Sequence, residues 1–230
     1  MIRLYIDSKF KKGDRLEIPK DEFRYFSSVR RGQGEVILFN RIGEEALGKV
    51  SEKFFEIEEV RKIEIPLYNL TVAVALPENA VIPGIIRTVS ELGAKELIFF
   101  SGKRSQAASR RLTENARFEK TSLESARQCG RGVPLQIKVA KDLLNISPPT
   151  NSQVLFFDEA SSDKKSLDEK SHSMSSVVAI IGCEGGWSED ERDFAKKSDY
   201  HFVHFETPIL RVETAATVAT FYAIERMRKL

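Results

Sequence analysis

Val177-Val178-Ala179-Ile180-Ile181-Gly182-Cys183-Glu184-Gly185-Gly186-Trp187-Ser188 decides how this chain is read. An apolar run enters a glycine-rich turn, and Ser188 with Glu191 makes the capping-box pattern that opens a helix. Strand, Gly-x-x-Gly-Gly, capped helix is a layout that aims backbone N–H groups at a ligand. Glycine there removes the Cβ that would block a close approach. The turn is not a dinucleotide-binding Gly-x-Gly-x-x-Gly, because its first spacing differs, and no Gly-Lys-Ser/Thr follows to make a P-loop. On its own it reads as a ligand turn or as a plain structural turn.

A second stretch lies a short strand later. Phe202-Val203-His204-Phe205 is followed by Pro208-Ile209-Leu210-Arg211-Val212-Glu213-Thr214-Ala215, which leads into the closing helix. Thr214 is the expected cap, and Ala215 and Ala216 permit close packing. Ile209 and Leu210 offer apolar walls and backbone amides to a flat ring. Arg211 and Glu213 are charged residues in an apolar segment. They form either a structural ion pair at the helix start or part of an active site or dimer seam.

Working outward, the rest of the chain from Leu70 alternates strands and helices. Leu70–Leu76 is a continuous apolar run, as expected of a strand buried on both faces. Ile82, Ile85, Ile86, Val89 and Leu92 follow helical spacing, with Gly93 at the C′ position. Further strands are expected at Lys95–Phe100, Leu135–Val139, Val154–Phe157 and Val177–Ile181. Helices are expected over Ser109–Cys129, from Ser188, and over Thr214–Lys229, with a surface loop or loose helix at 161–176. This alternation predicts an α/β domain with a mostly parallel sheet. Residues 1–66 differ: Leu4–Ile6, Arg15–Ile18, Glu35–Phe39 and Glu45–Val50 are short alternating segments between glycine turns, with a short helix over Asp21–Val29. They predict a compact β-barrel.

Composition narrows the function. The chain has 230 residues, 41% hydrophobic and 30% charged, as in soluble globular proteins. No apolar run approaches the roughly 20 residues that span a bilayer, and the N-terminus lacks the pattern of a secretory signal. Cys129 and Cys183 make no Cys-x-x-Cys pair, and the histidines His172, His201 and His204 are scattered, so no metal site is expected. The net charge is only +2, but residues 103–141 hold ten basic residues against three acidic ones. Such an excess fits a phosphate-binding surface or a solvated basic face.

Several linked motifs resemble those of the RsmE family of SPOUT methyltransferases, which methylate N3 of a uridine in small-subunit ribosomal RNA. Gly182-Cys183-Glu184-Gly185-Gly186 resembles the family's Gly-Pro-Glu-Gly-Gly, and Leu210-Arg211-Val212-Glu213-Thr214-Ala215 its Leu-Arg-x-Glu-Thr-Ala. Upstream, Ser90-Glu91-Leu92-Gly93-Ala94, Arg104-Ser105 and the segment from Glu124 to Pro134 also match, in order, from about Leu70 to the end. The chain departs from the pattern at Cys183, at Asn79 to Pro83 and Thr88, where basic residues are usual, and at Arg127, where a glutamate is usual.

The resemblance implies a C-terminal SPOUT domain (70–230) with a deep trefoil knot, an exception to unthreaded topology, and an N-terminal PUA-like β-barrel (1–66) that binds RNA. It implies S-adenosylmethionine as cofactor, held by Leu76, Pro77, Gly182, Glu184, Gly185, Gly186, Ile209, Leu210, Arg211, Thr214 and Ala215. Arg104, Arg211, Glu184 and Glu213 are the expected catalytic residues. Arginine stays protonated and suits a developing oxyanion, whereas either glutamate suits the uracil N3 proton. Arg30, Arg31, Arg104 and Arg131 are the expected RNA contacts. The partners are 16S ribosomal RNA or the small subunit and a second copy of the chain, with no membrane and no metal, in the cytoplasm. Two other readings stand beside this one: a SPOUT enzyme with another target such as a ribose 2′-hydroxyl, and a non-catalytic RNA-binding or ribosome-assembly factor.

Overall fold

The computed structural model describes residues 1–29, 35–63, 68–105, 116–160 and 175–228. By backbone contacts the chain forms two units, Met1–Pro66 with Leu123–Pro134, and Leu67–Ser122 with Leu135–Leu230. The sequence places 123–134 with the second unit; they cluster instead with the first.

The first unit contains β1 (Ile2–Tyr5), β2 (Arg15–Glu17), α1 (Lys20–Ser28), β3 (Val36–Phe39), β4 (Glu44–Ser51) and β5 (Phe54–Lys62). Among the described residues these strands form one sheet in the order β1-β3-β4-β5-β2, with β1 parallel to β3 and the other pairs antiparallel. Sequence reasoning omits β5. Its Glu56, Glu58, Glu59, Arg61 and Lys62 dilute the apolar signal, yet Phe55 and Ile57 alternate into the core beside Leu4, Leu38 and Ala46. The departure at Arg127 has a physical reason here. Its guanidinium donates to the buried Glu22 carboxylate, which also accepts the Tyr5 N–H at 3.0 Å, and it lies 4.8 Å from the Tyr25 ring centre.

Burial pushes the Glu22 carboxyl above its usual pKa, partly opposed by Arg127. Removing Arg127 strands that carboxylate. Arg127→Ala is expected to cost about 3 kcal/mol at neutral pH. A carboxyl whose folded pKa is raised loses stability as pH rises through that value, so the deficit shrinks on acidification. Urea unfolding at pH 7 and pH 5 checks this; a deficit equal at both would contradict it.

The second unit continues with β6 (Tyr68–Ala75), α2 (Ile82–Glu91), β7 (Ala94–Ser101), the first half of α3 (Ala116–Cys129, which passes into the first unit at Leu123) and β8 (Gln136–Asp142). It ends with β9 (Ser152–Phe157), β10 (Ser176–Ile181), α4 (Glu189–Lys197), β11 (His201–Val203) and α5 (Val212–Met227). All six expected strands are present. Residues 109–115 of the expected helix and 161–174 of the expected loop lie outside the described residues, as do Arg30 and Arg31. The sheet order is β11-β9-β10-β6-β7-β8, with every pair parallel.

The pleat sorts the core into two layers. Leu70, Val72, Val74, Val177, Ala179 and Ile181 face α2 and α5, while Ala73, Ala75, Val178 and Ile180 face Trp187 and Ala195 of the α4 side. This is why β6 and β10 read as unbroken apolar runs. Ala216, Ala219 and Ala223 are buried on α5, whose small side chains let its backbone approach β10 and β6. No helix among the described residues is long and apolar enough to cross a membrane.

Candidate functional site

From β6 the chain crosses to β7 on one side, and from β10 it crosses to β11 on the other. The carboxyl ends of β6 and β10 are therefore a topological switch point, where parallel sheets open a crevice for ligands. A cavity of about 630 Å³ lies there. Its floor is Phe157, Ile181 and Val203, the last residues of β9, β10 and β11, and its walls are the two loops that opened the sequence reading. The Gly182–Gly186 turn contributes Gly182, Cys183, Glu184 and Gly186; the loop after β11 contributes His204 to Arg211 except Glu206.

The turn is fixed from below by Trp187, only 1% exposed. Its indole stacks on Phe156 with ring centres 4.3 Å apart, and Nε1–H donates to the Phe157 carbonyl at 2.8 Å. Gly186 adopts φ +63°, a left-handed conformation open to glycine and strained for other residues. A Cβ there would also lie 2.6 Å from Glu159 Oε1, and one on Gly185 would lie 2.9 Å from Arg104 Cβ. Glu184 reaches across the switch point, where its Oε1 accepts the Glu78 N–H at 3.0 Å. Arg104 Nη1 donates to the Gly185 carbonyl at 3.1 Å from the far side of the turn. The expected capping box is formed: Ser188 Oγ accepts the Glu191 N–H, and Glu191 accepts the Ser188 N–H.

Of the expected residues, Gly182, Glu184, Gly186, Ile209, Leu210, Arg211, Glu213 and Ala215 come together around the cavity. Leu76, Pro77, Gly185, Thr214 and Arg104 do not line it. Leu76 and Pro77 are buried, and Leu76 faces a smaller cavity with Lys103 and Lys141. Two expectations are corrected. Thr214 is not the cap of α5: the helix begins at Val212, and Arg211 holds the N-cap position with extended backbone and no side-chain cap. Arg131 is not a surface RNA contact. It is 4% exposed, Nε–H donates to the Val133 carbonyl at 2.6 Å, and burial pulls its pKa down to about 10. Arg211 and Glu213 make no ion pair with each other among the described residues; Arg211 is exposed at the cavity mouth.

Sequence reasoning missed Glu78, Asp158, Glu159 and His204, which also line the cavity. The signal available was position: each follows a strand on the ligand edge of the sheet. Together with Glu184 and Glu213 the acidic residues give the wall five carboxylates, against one arginine and one histidine among the described lining residues.

Comparison with known proteins agrees with the geometry. A family model described as an RNA methyltransferase domain matches residues 64–224. Ribosomal RNA small subunit methyltransferase E 2 of Borreliella burgdorferi is 26% identical over 181 residues, covering 76% of this chain and 74% of that protein. Ribosomal RNA small subunit methyltransferase E of Buchnera aphidicola is 26% identical over 234 residues, covering 94% and 90%. The same fold is found in the crystal structure of a ribosomal RNA small subunit methyltransferase E from Neisseria gonorrhoeae bound to S-adenosyl methionine. Its TM-score is 0.82 at 23% identity, covering 99% of this chain and 98% of that one. With its glycine turn and its helix-leading loop brought to one cavity, and the family model matched across most of its length, this chain belongs to the RsmE family of RNA methyltransferase domains.

Proposed function

We propose that this protein uses S-adenosylmethionine to methylate N3 of a uridine in the 16S RNA of the small ribosomal subunit. The observation that carries the cofactor is the charge of the cavity. Five acidic residues line it, and four carboxylates remain once Asp158 is paired with Arg192. A nucleotide with phosphates would meet repulsion there, whereas S-adenosylmethionine carries a sulfonium and an ammonium against one carboxylate and is net positive. Its size also fits, since cavities of about 300–1,000 Å³ hold ligands of this class. The turn glycines leave no room for a Cβ, because Trp187, Arg104 and Glu159 pack directly against them and fix the shape of the turn. The RNA target is supported by the relatives named ribosomal RNA small subunit methyltransferase E.

The bound cofactor supplies an activated methyl group, so the protein's work is placement and charge. Ile209 and Leu210 flank the adenine. Glu184 spends one oxygen on the Glu78 amide and holds the turn to the loop after β6. Glu213, half-buried on the wall, receives the uracil N3 proton. Arg211 at the mouth stabilises the developing uracil oxyanion, and Arg104 meets the RNA beside it. Leu76, Pro77, Gly185, Thr214 and Ala215 back these loops.

In this reading residues 70–230 are the knotted SPOUT domain and 1–66 a PUA-like RNA-binding barrel that includes Arg30 and Arg31. Support for the knot is the return of α5 from edge strand β11 onto β10 and β6 at the sheet centre. The protein works as a cytoplasmic homodimer. Phe221, 55% exposed on α5, supplies apolar surface for the second copy.

The test is calorimetry with S-adenosylmethionine and with ATP, followed by nucleoside analysis of small-subunit RNA incubated with protein and cofactor. Binding of S-adenosylmethionine but not ATP, with 3-methyluridine formed, is the expected result. A folded protein that binds RNA but no cofactor would overturn the enzyme reading, and a 2′-O-methyl product would overturn the target atom.

A further inference from the structure

We infer that Asp158 and Arg192 are a positioning pair that holds the cofactor cavity in its binding shape before any ligand arrives. The inference rests on the reading of the cavity as the S-adenosylmethionine site.

Asp158 follows β9 and is 3% exposed, although it belongs to the cavity wall. Its N–H donates to the Val203 carbonyl at 3.0 Å, which ties the end of β9 to the end of β11. Its carboxylate accepts three donors: Arg192 Nε–H at 2.7 Å, Arg192 Nη2–H at 3.1 Å and the Ala160 N–H at 3.1 Å. Arg192, on α4, also donates from Nη1 to the Trp187 carbonyl at 3.0 Å. Trp187 closes the circuit through its bond to the Phe157 carbonyl. One ion pair, with its carboxylate buried and its guanidinium partly exposed beside Glu189, thus joins the β9 loop, the end of β11 and the residue that follows the glycine turn.

A largely buried pair of this kind adds little net stability over an apolar replacement. What it does add is geometry: the bidentate fork fixes both partners in one plane. With Asp158 turned inward, its neighbour Glu159 is presented at the cavity wall over Gly186. Neither Asp158 nor Arg192 belongs to the motifs of the two loops. Their role is visible only where strand ends meet.

The test measures cofactor affinity by calorimetry and melting temperature for the parent, Arg192→Ala, Arg192→Lys and the double variant Asp158→Ala/Arg192→Ala. Arg192→Ala is expected to weaken S-adenosylmethionine binding about tenfold, as the loss of a charge-assisted bond predicts. Arg192→Lys keeps a charge beside Asp158 but cannot also reach the Trp187 carbonyl, and loses a smaller factor. The double variant leaves no buried charge unpaired, so it folds where a single variant fails, and it is expected to weaken binding no more than Arg192→Ala does. In methyl transfer the cofactor KM rises more than kcat falls. A purely structural role predicts the opposite pattern: a lower melting temperature and a lower active fraction with cofactor affinity unchanged. That pattern, with a binding-competent parent, overturns the pair alone. A parent that binds no S-adenosylmethionine overturns both the pair and the cavity reading.

Discussion

Trp187→Ala is expected to cost the protein about 4 kcal/mol, from a large-to-small core replacement together with a lost hydrogen bond. The indole is the largest fully buried side chain of the molecule. It stacks on Phe156, lies parallel to Phe100 with ring centres 6.2 Å apart, and satisfies the Phe157 carbonyl. Its removal opens a void between the sheet and α4 and frees the turn that it anchors. Against a typical total stability of about 5–15 kcal/mol this is a large share. Urea unfolding followed by far-UV circular dichroism measures it, because Trp187 is the only tryptophan and the variant has no indole fluorescence. Trp187→Phe keeps the stacking and loses the Nε1 bond, at about 1–2 kcal/mol. A cost below about 1 kcal/mol for the alanine variant would show that the ring is not the anchor.

Gly186→Val is expected to lower S-adenosylmethionine affinity about a hundredfold while leaving the secondary structure intact. The residue sits at φ +63°, where a β-branched side chain is an outlier. Holding that conformation costs of order 1–3 kcal/mol, and the chain relieves the strain by changing the turn instead. The new Cβ also points at Glu159 Oε1, 2.6 Å away, and pushes that side chain into the cavity. Each route alters the cradle and neither disturbs β10, which ends before the turn. Calorimetry on the variant, with circular dichroism as the check on folding, decides the matter. Affinity within threefold of the parent would mean that the turn does not hold the cofactor.

Both predictions were half legible in the sequence. The glycine spacing and the apolar run before it announce a turn that faces a ligand. The capping box at Ser188 and Glu191 announces the helix that follows, and both are local patterns set by backbone conformation. The same holds for the central strands β6 and β10, since a strand buried on both faces must be largely apolar. Where local pattern competes with charge, as in Phe54–Lys62, the strand is invisible until its partners supply a face to bury Phe55 and Ile57.

What the sequence by itself determined is the α/β alternation from residue 70, the two loops and the family that they resemble. The tertiary structure alone decided which other residues join them. Glu78, the adjacent pair Asp158 and Glu159, and His204 come from three distant parts of the sequence and carry no motif; the sheet order β11-β9-β10-β6 brings them to one cavity. It also removed Arg131 from the surface by burying it, and it placed the start of α5 at Val212 rather than at Thr214. The physical reason is common to all of these. Periodicity and turn chemistry act within a few residues, while burial, charge pairing and the meeting of strand ends depend on neighbours that only the folded chain provides.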